Sequence, residues 1–330
     1  MKKILAFRTD RLGDFIITKK SLNLFLENQD QYEVDIVASL KNYDYIKNFK
    51  SINKIYIFNK SYVNFFIKNF DILKKKYDYI IIYDGKRRSH IISFFLSGKK
   101  ISLTKSKKLF KLANFFRYKS IFNTEFIPQL ESFKFVNLLL DKKNGIKNNF
   151  YFDYDFKKLN FRLPLHEKKN IILHLDEKWF EGYYYHDFDY CEWDCEFFYK
   201  LIKKILNKYQ TPIIITTGSQ KIPFLEEVKK EFIEIKKNIF ENKNYGNKLF
   251  LVEKLSFREL ETFLKTYGEK LICCEGGVSH ISHNLNIRTY ALFQGGRETF
   301  YKHWTDHMNN ITLIKRGEQK HLLDTIDKLD

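Results

Sequence analysis

Apolar and polar positions along this chain come in short bursts that stop and restart. The run Lys3 to Phe7 ends at Arg8-Thr9-Asp10-Arg11-Leu12-Gly13-Asp14, and from Phe15 to Leu26 the apolar residues take helical spacing. This reads as strand, loop, helix. Val34 to Ala38, Ile55 to Phe58 and Tyr79 to Tyr83 are further strand candidates, with helix-like segments at Tyr43 to Phe49, Tyr62 to Lys75 and Ser89 to Leu96. Short β-rich runs alternating with helices imply parallel βαβ units. The pattern then restarts, with Ile171 to Leu175, Pro212 to Thr217, Leu249 to Val252, Leu271 to Cys274 and Thr289 to Phe293 as strands. The segments Phe197 to Asn207, Phe224 to Phe232, Phe257 to Lys265 and Ser279 to Leu285 lie between them.

Asp141 to Asn170 carries Lys, Asn, Asp and Pro without sustained periodicity, which places a boundary near residue 160. The expected fold class is α/β: two Rossmann-like, doubly wound domains, 1–160 and 161–330, facing each other across a cleft. Ligands in such sheets bind beyond the carboxyl ends of the strands, and two such edges suit a reaction between two substrates.

A chain of 330 residues with 44% apolar content can bury two cores, and disorder is excluded as its main state. No apolar run approaches the ~18 residues of a membrane helix, and Ile4-Leu5-Ala6-Phe7 is too short for a signal segment. A cytoplasmic location is expected. The four cysteines, 191, 195, 273 and 274, match no zinc or disulfide spacing and read as reduced thiols. The net charge of +18 suits a polyanionic partner, whether nucleic acid, anionic membrane or phosphorylated substrate. Abundant Lys, Asn, Ile, Phe and Tyr beside scarce Gly, Pro and Ala gives the alternative of A/T-rich codon bias. The basic residues read as dispersed, in clusters no longer than Lys74-Lys75-Lys76, so no nucleic-acid-binding arm is expected.

Three constellations can carry chemistry. In the first, Gly13 permits close backbone approach and Asp14 opens a helix, where a carboxylate stays ionised and can take a proton from an attacking hydroxyl; the alternative is a plain helix cap. In the second, Cys273-Cys274-Glu275-Gly276-Gly277-Val278-Ser279-His280, a Gly-Gly strand-to-helix turn offers N–H groups and a helix dipole to phosphate, or else simply needs glycine to turn. It is neither GxGxxG nor a P-loop. His280 and His283, one turn apart, read as helix histidines rather than metal ligands, with no third ligand in sight. In the third, His174-Leu175-Asp176-Glu177-Lys178-Trp179, Lys178 can offset charge on a diphosphate leaving group or sit in a solvated loop. The stretch Tyr183 to Tyr190 is long for a βα loop and has residues suited to sugars, or is a surface loop.

Arg8-Thr9-Asp10-Arg11-Leu12-Gly13-Asp14-Phe15-Ile16-Ile17-Thr18 resembles the N-terminal signature of glycosyltransferase family 9, the ADP-heptose:lipopolysaccharide heptosyltransferases and their relatives. Glu275-Gly276-Gly277-Val278-Ser279-His280-Ile281-Ser282, followed by Asn286 to Phe293, is similar to its C-terminal signature, and Tyr79 to Ser89 with Asp84-Gly85 to its middle segment. Glu275 stands where the family usually has Asp, Gly276 where heptosyltransferases often have Thr, and Arg288 near a usual Pro.

The resemblance implies a GT-B architecture, with acceptor mostly on the first domain, nucleotide sugar mostly on the second, and the last helix returning to the first. It implies an inverting, metal-independent glycosyl transfer with no cofactor, from a nucleoside-diphosphate sugar, ADP-heptose first, to a lipid-linked or oligosaccharide acceptor of a bacterial surface glycan. Asp14 is the implied base. Lys178, Glu275, Gly276, Gly277, His280, Thr217 and Gly218 are the implied donor-binding residues, and Arg8, Asp10, Arg11 and Gly13 line the acceptor side. Peripheral docking at the inner face of an anionic membrane is expected, through the basic balance of the first domain. The competing readings are a basic nucleic-acid-binding protein and a nucleotide-sugar-modifying Rossmann enzyme. The second lacks a GxGxxG after the first strand and a well-placed Tyr-x-x-x-Lys pair.

Overall fold

The amino-terminal run forms β1 (Lys2–Arg8), whose last five residues are fully buried because strands flank it on both sides. Structure is described in the computed structural model for residues 1–124, 126–139, 150, 152–179, 194–218 and 222–329. These residues gather into two units, Met1–Asp155 with Lys302–His307, and Phe156–Tyr301 with Met308–Asp330.

In the first unit β1 is joined by β2 (Tyr32–Ser39), β3 (Lys54–Phe58), β4 (Lys76–Ile82), β5 (Ser97–Thr104) and β6 (Lys119–Phe122), in the order β3-β2-β1-β4-β5-β6. All neighbours are parallel, and Ile4 stands beside Val34 on one side and Tyr79 on the other. The central strands are continuous apolar runs because helices cover both faces. Leu5, Phe7, Val37, Ile80 and Ile82 pack against Phe65, Ile72, Ile92 and Ala113, which belong to α3 (Tyr62–Lys68), α4 (Asp71–Lys74), α5 (Arg87–Phe94) and α6 (Lys107–Phe115). A separate group of helices, α1 (Leu12–Leu26), α2 (Leu40–Ile46) and α7 (Gln129–Leu139), packs together, with α1 touching both others. The helix expected over Tyr62 to Lys75 breaks in two at Asn69, whose backbone leaves helical geometry while its amide donates to the Phe65 carbonyl at 2.8 Å.

The second unit holds β7 (Asn170–Leu175), β8 (Ile213–Thr217), β9 (Phe232–Lys236), β10 (Ile239–Asn242), β11 (Gly246–Val252), β12 (Gly268–Cys274), β13 (Arg288–Phe293) and β14 (Ile311–Lys315). They lie in the order β14-β13-β12-β7-β8-β11-β10-β9. Without the antiparallel β9–β10 extension this is again first strand central, with the order reversing beside it. Its helices are α8 (Cys195–Tyr209), α9 (Pro223–Val228), α10 (Phe257–Tyr267), α11 (Gly277–Asn284), α12 (Glu298–Thr305) and α13 (Gln319–Lys328). Phe224 to Phe232, expected as one helix, stops at Val228 and turns into β9.

Two boundaries differ from expectation. The units divide after Asp155. The last helix, α13, does not return to the first unit: Leu322, Ile326 and Leu329 join the second unit's core, Lys204 pairs with Asp327 at 2.7 Å, and Lys208 donates to the Ile326 carbonyl at 3.0 Å. The segment that belongs with the first unit is Lys302–His307. There His303 Nδ1 donates to the Ile127 carbonyl, its Nε2 accepts a hydrogen bond from Lys105 Nζ at 2.9 Å, and Gln129 Oε1 lies 2.7 Å from that same Nε2. Burial and the Lys105 charge push the His303 imidazole down to about 4, so it is neutral at pH 7.

Candidate functional site

In both sheets the strand order reverses beside the first strand, between β1 and β4 and between β7 and β12. Loops leaving these pairs at their carboxyl ends diverge and leave a crevice. The sequence motifs all fall there.

At the first crevice the chain leaves β1 through buried Arg8. Its Nη1 donates to the Tyr83 carbonyl at 2.9 Å, Nε lies 3.2 Å from Asp10 Oδ1, and Nη2 lies 3.3 Å from Asp14 Oδ1. A buried guanidinium is tolerated only when paired, and the two carboxylates do this. Asp14 also accepts the Arg11 N–H at 3.1 Å, so it caps α1 with one oxygen and holds Arg8 with the other. Gly13 lies inside the first turn of α1 with ordinary helical backbone, so left-handed geometry is not what it supplies. Arg11 is exposed at the N-cap.

Asp10 stands apart chemically. Burial pushes its carboxyl up to about 7, with the Asp14 and Asp84 charges adding to the rise against the pull of Arg8. Asp84, at the end of β4, clasps the two loops. It accepts from Thr9 N at 3.1 Å, Thr9 Oγ1 at 2.6 Å and Ser89 Oγ at 2.7 Å, while Arg88 donates to Thr9 Oγ1 and to the Thr9 carbonyl, each at 2.7 Å. Ser39 and Asn42, opening α2, donate to the carbonyls of Asp10 at 3.2 Å and Arg8 at 2.8 Å. The bracing by Thr9, Ser39, Asn42, Asp84 and Arg88 was missed from the sequence, because it depends on which loops the strand order brings together.

At the second crevice Lys178 reaches across from β7 to the end of β12, where Nζ donates to the Glu275 carbonyl at 2.6 Å. A Cβ on Gly276 would collide with that Nζ, so the absence of a side chain there lets the cation lie against the backbone. Gly276 caps α11, its N–H meeting Ser279 Oγ at 3.2 Å, and Gly277 is the first helical residue. The lysine and the opening N–H groups of α11 therefore face one spot, a geometry suited to phosphate oxygens. His280 Nε2 lies 3.7 Å from Glu275 Oε1. Arg316, after β14, donates to the carbonyls of Lys178 and Trp179, and Trp179 Nε1 donates to the His174 carbonyl at 2.9 Å, fixing the short turn that aims Lys178. Burial raises Asp176 against the opposing charges of Lys178 and Arg316. Buried Cys273 and Cys274 have thiols raised well above the usual range and are not thiolates.

Of the other expected donor residues, Thr217 braces its neighbours: Oγ1 accepts the Lys254 N–H and the carbonyl accepts that of Leu255 at 3.2 Å. Gly218 has open space where a Cβ would stand, so packing does not demand glycine there. His283 Nδ1 lies 2.5 Å from Asn310 Oδ1. Among the described residues no cluster of three or more His, Cys, Asp or Glu could hold a metal ion. The stretch Tyr183 to Tyr190 lies outside the described residues.

Two Rossmann-like sheets, each with its motif at the switch point, define the fold as that of GT-B enzymes. Solved structures share it. The chain is similar to Escherichia coli heptosyltransferase WaaC with ADP-2-deoxy-2-fluoro heptose (TM-score 0.67, 13% identity, covering 99% of each chain). It is similar to a glycosyl transferase family 9 protein from Veillonella parvula (TM-score 0.67, 11% identity, 95% of this chain and 86% of that one). A putative UDP-N-acetylglucosamine 2-epimerase from Listeria monocytogenes matches at TM-score 0.57 and 12% identity, over 98% of this chain and 87% of that one. No family model and no curated protein matches the sequence.

Proposed function

We propose that this protein is an inverting glycosyltransferase that moves a sugar, heptose first, from a nucleoside-diphosphate sugar to a bacterial surface glycan such as a lipopolysaccharide core. The reading rests on one observation: a carboxylate on a buried arginine at one switch point, and a lysine meeting a Gly-Gly helix start at the other. The first suits a hydroxyl acceptor and the second a diphosphate. A fold shared with an epimerase fixes no chemistry by itself, so these two sites carry the assignment.

In the mechanism Asp14 takes the proton of the acceptor hydroxyl. That oxygen bonds to the anomeric carbon from the face opposite the leaving group, and the bond from that carbon to the diphosphate oxygen breaks. Lys178 and the N–H groups opening α11 offset the charge that collects on the departing diphosphate. The ADP-linked heptose analogue in the WaaC structure supports ADP-heptose as the first donor to test. A thermal-shift series over ADP-, UDP-, GDP- and CMP-sugars tests the donor, since a ligand at 100 times its Kd stabilises by about 2.7 kcal/mol. We expect the ADP-linked series to give the largest shift, and no shift with any nucleotide would remove the donor site. Transfer is expected to survive EDTA.

A further inference from the structure

We propose that the outer flank of the first unit formed by α3, the end of α5 and the end of α6 is a docking surface for an anionic lipid bilayer. Two independent features coincide in it. Residues 60–124 contain sixteen Lys and Arg against three acids, Asp71, Asp78 and Asp84, so thirteen of the eighteen net positive charges of the chain lie in this one stretch. The basic residues, which read as dispersed, are thus concentrated, and codon bias acting evenly on the chain does not produce that. The same stretch holds eight of the fourteen exposed large apolar side chains among the described residues.

Four of these side chains, with half-buried Phe66, form a continuous run of ring contacts. Phe66 meets Phe95 at 5.6 Å between ring centres, Phe95 meets Phe94 at 5.6 Å, Phe94 meets Phe116 at 5.2 Å, and Phe116 meets Phe115 at 5.2 Å. Phe115 is 79% exposed and Phe95 59%, and Ile67 on α3 is 71% exposed. Inward, the same three helices bury Phe65, Ile92 and Ala113 against the sheet, so they are apolar on both sides. An apolar ridge of this kind in water marks a contact surface. Exposed Lys107, Lys108 and Lys111 run along α6 from its start toward Phe115 at its end, and Arg117 and Lys119 lie just beyond, beside the ridge.

A bilayer fits both features: rings enter the boundary between headgroups and acyl chains while the lysines meet the phosphates. A single-stranded nucleic acid fits less well. The rings meet one another edge to face, with interplanar angles from 73° to 88°, and do not lie parallel as a row of stacking platforms. Aliphatic Val63, Ile67 and Leu112 offer no stacking surface at all. Phe95 and Phe116 precede β5 and β6 by a few residues, so the ridge lies at the amino edge of the sheet, away from the carboxyl edge carrying Asp14. Docking leaves that edge open to an acceptor. The inference does not depend on sugar transfer.

Sedimentation of the full chain with vesicles of phosphatidylglycerol and phosphatidylcholine, against phosphatidylcholine alone, tests it. The wild type is expected to bind the anionic vesicles at least roughly tenfold more tightly, with binding falling as salt rises. Joint replacement F94S/F115S, and separately K107E/K108E/K111E, should each weaken binding roughly tenfold or more. K203E/K237E/K248E, the same charge change at exposed positions of the second unit, should stay within about twofold. Melting curves confirm folding, and the lysine triple, confined to exposed positions, remains informative should the phenylalanine pair unfold. Wild-type binding by both ridge variants, an equal loss in the control, or binding of a single-stranded oligonucleotide in place of vesicles overturns the proposal.

Discussion

Asp14 does two things at once, capping α1 and pairing with Arg8, and this explains why its role is hard to read from spacing. Asn keeps an oxygen for the Arg11 N–H but neither takes a proton nor offsets the buried Arg8 charge, so Asp14→Asn should stay folded at a lowered melting temperature while transfer falls by roughly 10²–10⁴. Donor affinity measured by titration should barely move. Near-normal turnover would shift the base to Asp10, whose value near 7 suits proton transfer at neutral pH. Asp10 also gives a stability signature. Its folded value lies above the ordinary one, so between roughly pH 4 and pH 7 the folded chain keeps a proton that the unfolded chain has lost, and stability falls as pH rises through that window. Asp10→Asn removes this dependence. Melting curves from pH 4 to 7.5 should show wild type losing ground to the variant, and parallel curves would mean that Asp10 is ionised throughout. At the other crevice, Lys178→Ala should weaken nucleoside-diphosphate binding by ~1–3 kcal/mol, and Gly276→Ala, which shifts Lys178 Nζ without removing its charge, should weaken it less. Gly218→Ala, with open space around it, should leave binding nearly unchanged. Arg8, Asp14, Lys178 and the Gly-Gly turn were legible because each sits where a strand run stops. The clasp by Asp84 and the aiming of Lys178 by Arg316 were not, because those partners are distant in sequence and meet only through strand order.

Helix α1 shows what periodicity leaves hidden at the scale of the element. It buries nearly every residue, including Lys19 and Lys20, so no polar face advertises it. Lys19 is accommodated by Asn23 at 3.0 Å and by the rings of Phe49 and Phe150. Burial lowers Lys20 to about 8, and its Nζ has no hydrogen-bond partner among the described residues. With the folded value below the unfolded one, the charged form is penalised at neutral pH, and stability rises with pH between about 8 and 10.5. Lys20→Met should therefore stabilise the protein at pH 7, on the order of 2 kcal/mol, with the gain shrinking toward pH 10. A destabilised variant with an unchanged pH profile would show that Lys20 has an ionic partner. The buried central strands were readable as apolar runs, whereas β5, with four half-exposed or exposed residues at its start, and the exposed β9 were not. The first half of β5 and most of β9, the latter at the edge of its sheet, reach solvent, and such strands carry too little apolar contrast to stand out.

At the scale of the whole molecule, the restart of the βα pattern revealed two units, and the motif positions told which strand ends matter. The crossing of Lys302–His307 into the first unit was illegible, since it hangs on His303 meeting Lys105 and Gln129 rather than on any periodicity. No helix among the described residues is long and apolar enough to span a membrane. The bilayer contact proposed for the basic aromatic flank would bring the chain to a lipid-linked acceptor. The most direct measurement is the mass of a lipopolysaccharide-core acceptor incubated with ADP-heptose and the protein, read by mass spectrometry beside an Asp14→Asn control. A gain of one heptose residue with the wild type, matched by released ADP, is expected, and little or none with the variant. Tight donor binding with an altered sugar and no mass gain on any acceptor, as an epimerase would give, would contradict it.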